Sequence, residues 1–317
     1  MPAPKADAAT LGASALSVAR VSARSAEADA AFAEDPIEPG IAPFGSDTLG
    51  ARRLVGYLFL TLLLMPVQAL FVALGTRMAE RFPIVYHKIC CRLMGIDIVT
   101  VGTMSRNRPT LFVSNHTSYI DITVFGALIP GSFVAKAEVA QWPLYGWLAK
   151  LQRTVFVDRK RNTAHLQRDQ LQQRLAAGDN LILFPEGTSN DGNRVLPFRS
   201  ALLSVAEASS PEAPLVIQPV SVAYVALNGI PMGHGLRPLV AWYGDMTLGP
   251  HLWQFSRLGK VTAVVEFHPS VDLKDAGSRK DLTRYCLTAV ANGVERALTG
   301  RALVNPDGAP DPASGGH

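Results

Sequence analysis

Asn115-His116-Thr117-Ser118-Tyr119-Ile120-Asp121 stands directly behind the apolar run Thr110-Leu111-Phe112-Val113-Ser114, and the reading of the chain turns on it. The run predicts a strand and the sequence after it a helix, so a histidine arrives at a strand-to-helix turn with a carboxylate five residues on. Five residues lie about 140° apart around a regular helix, so the two side chains meet only if the chain turns between them. Ser118 is the expected turn residue. As an N-cap, with Asp121 three positions later, it makes a Ser-x-x-Asp pattern at a helix start, where negative charge is favoured. His116 then lies just outside the helix within reach of Asp121, an arrangement suited to general-base chemistry. The same pattern also occurs as a cap and nothing more, and a lone histidine is more often structural than catalytic.

A second element tips the balance. Leu181-Ile182-Leu183-Phe184 reads as a buried strand, followed at once by Pro185-Glu186-Gly187-Thr188-Ser189-Asn190-Asp191-Gly192, a loop dense in turn formers and small polar side chains. In α/β proteins ligands bind in such loops at strand ends.

Together the segments resemble the glycerolipid acyltransferase family, in particular bacterial 1-acylglycerol-3-phosphate acyltransferases. The first block is Asn115-His116 with Ser118 and Asp121. The second is Thr154-Val155-Phe156-Val157-Asp158-Arg159, the third Phe184-Pro185-Glu186-Gly187-Thr188, and the fourth Val216-Ile217-Gln218-Pro219-Val220. The four stand in the family's order within about residues 80 to 270. Two positions depart from the pattern: Arg153 where the second block commonly has glycine, and Ser189 where the third commonly continues with arginine. Arg194 and Arg199 are the candidates for the missing charge.

The resemblance implies a fatty acyl transfer from acyl-CoA or acyl carrier protein to the free hydroxyl of 1-acylglycerol-3-phosphate, giving phosphatidic acid, with no cofactor and no metal. His116 takes the hydroxyl proton and Asp121 orients the imidazole. Glu186, Gly187 and Thr188 bind the glycerol-phosphate portion, and Asn115, Ser118 and Arg194 belong to the expected substrate site. Arg159 and Lys136, each at a strand end, are the phosphate candidates. Pro219 is expected in an edge strand or bulge, because proline cannot donate to a central ladder. A lyso-lipid without phosphate, such as lyso-ornithine lipid, is the alternative acceptor suggested by Ser189. A non-catalytic membrane lipid-binding protein is the alternative of another class.

At 317 residues and 48% hydrophobic residues, the chain has ample core for one large α/β domain. Residues 1–50 carry seven acidic and three basic residues, so of the formal charge of +4 this acidic arm holds −4 and the remainder +8. Such an arm is expected to be disordered. The basic remainder suits phosphate ligands or anionic lipid. Nucleic acid is disfavoured, because the basic residues are scattered and no groove-reading motif occurs. Cys90, Cys91 and Cys286 have neither metal nor disulfide spacing.

Leu54 to Leu74 is almost unbroken apolar sequence, interrupted by Gly56, Thr61, Pro66 and Gln68, and long enough to span a bilayer. Arg52 and Arg53 before it and Arg77 and Arg81 after it give no preferred orientation. Beyond it, Arg77, Arg81, Lys88 and Arg92 share one helical arc, and Met78, Phe82, Val85, Ile89 and Leu93 a neighbouring one. The expectation is a membrane-associated helical pair over 51–95, the first helix dipping into one leaflet and the second lying on the surface, at the cytoplasmic face of the inner membrane.

Residues 96–300 are then an acyltransferase domain with a mostly parallel, twisted central sheet flanked by helices, and 301–317 a loose tail. Strands are expected at 110–114, 133–135, 155–157, 181–184, 215–224 and 261–267, and helices at 122–128, 163–177 and 279–298.

Overall fold

A computed structural model of the chain describes residues 45–157, 164–208 and 215–301. It opens with a helical hairpin, α1 (Asp47–Ala73) and α2 (Met78–Met94), joined by a four-residue link. Ser46 caps α1 through its Oγ, which accepts from Leu49 N, so this helix begins inside the stretch expected to be arm. Gly95 ends α2 in the left-handed conformation at φ 75°, the usual glycine stop, and β1 (Ile96–Gly102) follows at once.

α1 is turned inside out relative to a soluble amphipathic helix. Its buried residues are Gly50, Thr61 and Gln68, whereas Val55, Phe59, Leu62, Leu63 and Leu70 are all more than half exposed. The inward polar groups hold it to its neighbours. Thr61 Oγ1 meets Tyr86 OH of α2 at 2.8 Å, and Gln68 Nε2 donates both to Ala79 O of α2 and to Leu151 O of the domain, at 2.9 and 2.8 Å. The guanidinium of Arg53 donates to the carbonyls of Ser256, Leu258 and Gly259, so Arg53 is a tie to the domain and not a free basic flank.

The domain continues through β2 (Thr110–Ser114), α3 (Ile120–Leu128), β3 (Ser132–Lys136), α4 (Tyr145–Leu151), β4 (Val155–Val157), α5 (Ala164–Ala176), β5 (Leu181–Leu183), β6 (Val216–Leu227), β7 (Ile230–Pro231), α6 (Leu248–Arg257), β8 (Val261–Phe267), α7 (Leu273–Ala276) and α8 (Arg279–Leu298). The sheet order is β1-β8-β6-β2-β5-β3-β4, with β7 paired to β6. Five strands from β6 to β4 run parallel, and β8 and β1 run the opposite way, joined to β6 by an antiparallel ladder.

Alternate residues of each strand feed two cores, as the period of two requires. Phe112, Ile182, Phe133 and Val220 face the layer with α2, α3 and α6, whereas Leu111, Val113, Leu181 and Ile217 face α5 and α8.

Two local expectations are corrected. Tyr119, not Ser118, is the N-cap of α3, and Ser118 Oγ is buried without a partner among the described residues. Asp121 does the capping by reaching back to the amides of Thr117 and Ser118 at 2.7 and 2.9 Å. Pro219 is not on an edge: it sits in β6 between β2 and β8, opposite Val113. The ladder tolerates it just past the end of β8. His268 N donates to Pro219 O at 3.0 Å, and the answering carbonyl, His268 O, which a residue-219 amide would otherwise meet, accepts Gln218 Nε2 at 2.9 Å.

Candidate active site

Because β2, β5 and β3 are parallel neighbours, their carboxyl ends bring the turns after Ser114, Leu183 and Lys136 together along one edge of the sheet. That edge is where ligands bind in open α/β sheets. His116 Nδ1 lies 2.8 Å from Asp121 Oδ2, an acceptor that fixes the proton on Nδ1 and leaves Nε2 as the basic nitrogen. Asp121 is fully buried and takes four donors: His116 Nδ1, the amides of Thr117 and Ser118, and Tyr224 OH at 2.7 Å on its other oxygen. The imidazole also stacks on Phe184, with ring centres 4.3 Å apart and planes 19° from parallel.

The turn that carries His116 is braced from both sides. The Asn115 side chain pairs with the backbone of Val222, donating to its carbonyl and accepting from its amide at 2.9 Å each. Glu186, 2% exposed, accepts from His116 N at 3.0 Å and from Asn190 Nδ2 at 2.7 Å, while Asn190 N donates to His116 O at 3.1 Å. Burial pushes the Glu186 carboxyl up to about 7, against the lowering effect of those donors. Its two oxygens are therefore spent inside the protein, tying the first block to the third, rather than presented to a ligand.

Beside this cluster opens a cavity of about 710 Å³ with a largely apolar wall. It reaches from Tyr57 and Tyr86 of the hairpin, past His116 and Trp142, to Gly187 and Leu202. Among the expected site residues, His116, Lys136 and Gly187 line it; Arg199, one of the two arginines considered for the missing charge, lines it as well. Asn115, Ser118, Asp121, Glu186, Thr188, Arg194 and Pro219 do not. Thr188 and Arg194 are exposed. Arg159 lies outside the described residues. Tyr224, 103 residues from Asp121 in sequence, was invisible to local pattern because nothing in β6 marks its partner.

The sheet and the largely apolar cavity at its carboxyl-end edge define an α/β protein with a His–Asp pair beside that cavity. Residues 96–223 match the family described as Acyltransferase. The chain is 44% identical to a lyso-ornithine lipid O-acyltransferase of Brucella abortus over 249 residues, 77% of this chain and 93% of that protein. It is 32% identical to a 1-acyl-sn-glycerol-3-phosphate acyltransferase of Neisseria gonorrhoeae, over 68% of this chain and 78% of the relative. Its fold matches the crystal structure of the 1-acyl-sn-glycerophosphate acyltransferase from Thermotoga maritima with a TM-score of 0.57 at 20% identity, covering 78% of this chain and 96% of the other. The chain belongs to this acyltransferase family.

Proposed function

We propose that the protein transfers a fatty acyl group from an acyl thioester to the free hydroxyl of lyso-ornithine lipid. Acyl transfer rests on the His116–Asp121 pair opening onto the apolar cavity. Nε2 takes the hydroxyl proton as the oxygen adds to the thioester carbon; collapse of the tetrahedral species breaks the C–S bond, and the departing thiolate recovers the proton from the imidazolium. Asp121, held by four donors, stabilises the charge that forms on the ring. The transfer is direct: burial pushes Cys90, Cys91 and Cys286 up to about 12, which disfavours a thiolate nucleophile.

The acceptor is favoured by the comparison above, 44% identity to a lyso-ornithine lipid enzyme against 32% to a lysophosphatidate enzyme, and by Ser189 in place of the arginine usual after the third block. Lysophosphatidate, the acceptor first suggested by the motif blocks, is the second reading. The hairpin, whose first helix is the one described helix long and apolar enough to cross a membrane, would seat the enzyme on the bilayer that holds its acceptor. The purified protein, assayed with each acceptor and with acyl-CoA or acyl carrier protein as donor, tests the reading. Preference for lyso-ornithine lipid supports it, and turnover of 1-acylglycerol-3-phosphate alone overturns it.

A further inference from the structure

We propose that Arg199 is the binding residue for the acidic group of the acceptor's head group, and that in lyso-ornithine lipid it takes the carboxylate; the choice of carboxylate rests on the acceptor proposed above. Among the described residues, the cavity wall carries two cationic side chains, Lys136 and Arg199, and neither Asp nor Glu. The Arg199 guanidinium makes its part of the wall favourable to an acidic group.

The backbone holds Arg199 against the third block. Its amide donates to Pro185 O at 3.0 Å, and its carbonyl accepts Leu202 N. Gly187, at φ 70°, presents a bare Cα to which the guanidinium closes in: Cζ and Nε lie 3.4 Å from where a Cβ would stand. The guanidinium is thus seated over the loop whose Glu186 holds the His116 amide. It makes no ion pair or side-chain hydrogen bond with any described residue, and Ser189 lines the cavity nearby. A planar fork of donors with no internal acceptor matches a carboxylate in bidentate fashion. Ornithine is an amino acid and brings such a group without a phosphate. Arg199 comes from ten positions beyond Ser189, so the charge missing from the motif is restored from a different part of the chain.

Kinetics of the full-length protein in detergent test this, using lyso-ornithine lipid, its carboxyl methyl ester and 1-acylglycerol-3-phosphate as acceptors. Arg199→Ala should lower kcat/KM on the free acid about 10- to 100-fold, mainly through KM, with Arg199→Lys recovering part. On the methyl ester, wild type and Arg199→Ala should be equally poor, because the partner charge is already gone. An unchanged melting temperature shows that the variant is folded. Unaltered kcat/KM on the free acid, or an equal loss on acid and ester, overturns the proposal. If the wild type uses only 1-acylglycerol-3-phosphate, the acceptor reading fails by itself. In that case a tenfold loss in Arg199→Ala on the phosphate substrate keeps Arg199 as the anion site, and no loss removes it.

Discussion

The phenol of Tyr224 donates to Asp121 Oδ1 at 2.7 Å, on the far side of the carboxylate from His116. Burial holds that phenol well above its ordinary pKa, so it stays a donor at every working pH. The bond fixes the carboxylate plane and withdraws charge from it. Tyr224→Phe should lower kcat about tenfold, the loss of one hydrogen bond to a charged group, with little change in KM. It should also move the acid limb of the kcat profile to higher pH, because a less shared carboxylate favours the imidazolium. A merely structural tyrosine would leave the profile in place, and that outcome would sink the role.

The strands expected at 110–114, 155–157 and 261–267 and the helix at 279–298 stand as read, because the strands are short apolar runs rich in β-branched and aromatic residues and the helix opens on a Ser278 cap. β1 was missed although Gly95 and the β-branched run Ile96-Asp97-Ile98-Val99-Thr100-Val101 announce it; the helical pattern before it ran up to its first residue. The antiparallel β6–β8 pairing and the place of Pro219 were not legible, since periodicity says which face a residue takes and not which strand lies beside it. His116 and Asp121 were legible because four residues separate them. The Tyr224–Asp121, Asn115–Val222 and Glu186–His116 bonds are long-range contacts, and a single sequence carries no local mark of such contacts.

His116→Ala should reduce turnover by about 10²- to 10⁴-fold, the range of a lost general base. His116 keeps a fifth of its side chain exposed, so stability should change little. Rates measured beside thermal unfolding check both halves, and near-normal turnover in a folded variant would sink the mechanism.

Glu186 makes stability depend on pH. Its carboxyl rises from the ordinary 4.5 to about 7 on folding, so the folded state holds the proton more tightly than the unfolded chain. That contribution is full below about 4.5 and is lost as pH climbs through 7. Relative to Glu186→Gln, the wild type should therefore lose a few kcal/mol of stability between these values, and nothing further above them. Melting temperatures of both proteins from pH 4 to 8 in one detergent give the comparison. Parallel curves would show that Glu186 titrates normally.

The hairpin predicts how the protein holds a bilayer. Phe59, Leu63 and Leu70 of α1 point outward at 68, 57 and 56% exposure, while Met78, Val85 and Ile89 continue the apolar face on α2. The exposed Arg77, Arg81, Lys88 and Arg92 flank it. Apolar burial at about 25 cal/mol per Å² is indifferent to salt, whereas attraction between these cations and anionic lipid is screened within about a Debye length. A high-salt wash of membranes should therefore leave the protein bound, and detergent should release it. Removing the four basic residues should change binding only modestly at high salt. Leu63→Asp with Leu70→Asp should weaken retention strongly, because both side chains face outward and the fold does not need them. Complete release of the wild type by salt alone, or full retention of the double aspartate variant, would refute an anchor made by this face. Protease cleavage at both ends of α1 from the same side of a sealed vesicle separates a leaflet-dipping hairpin from a span.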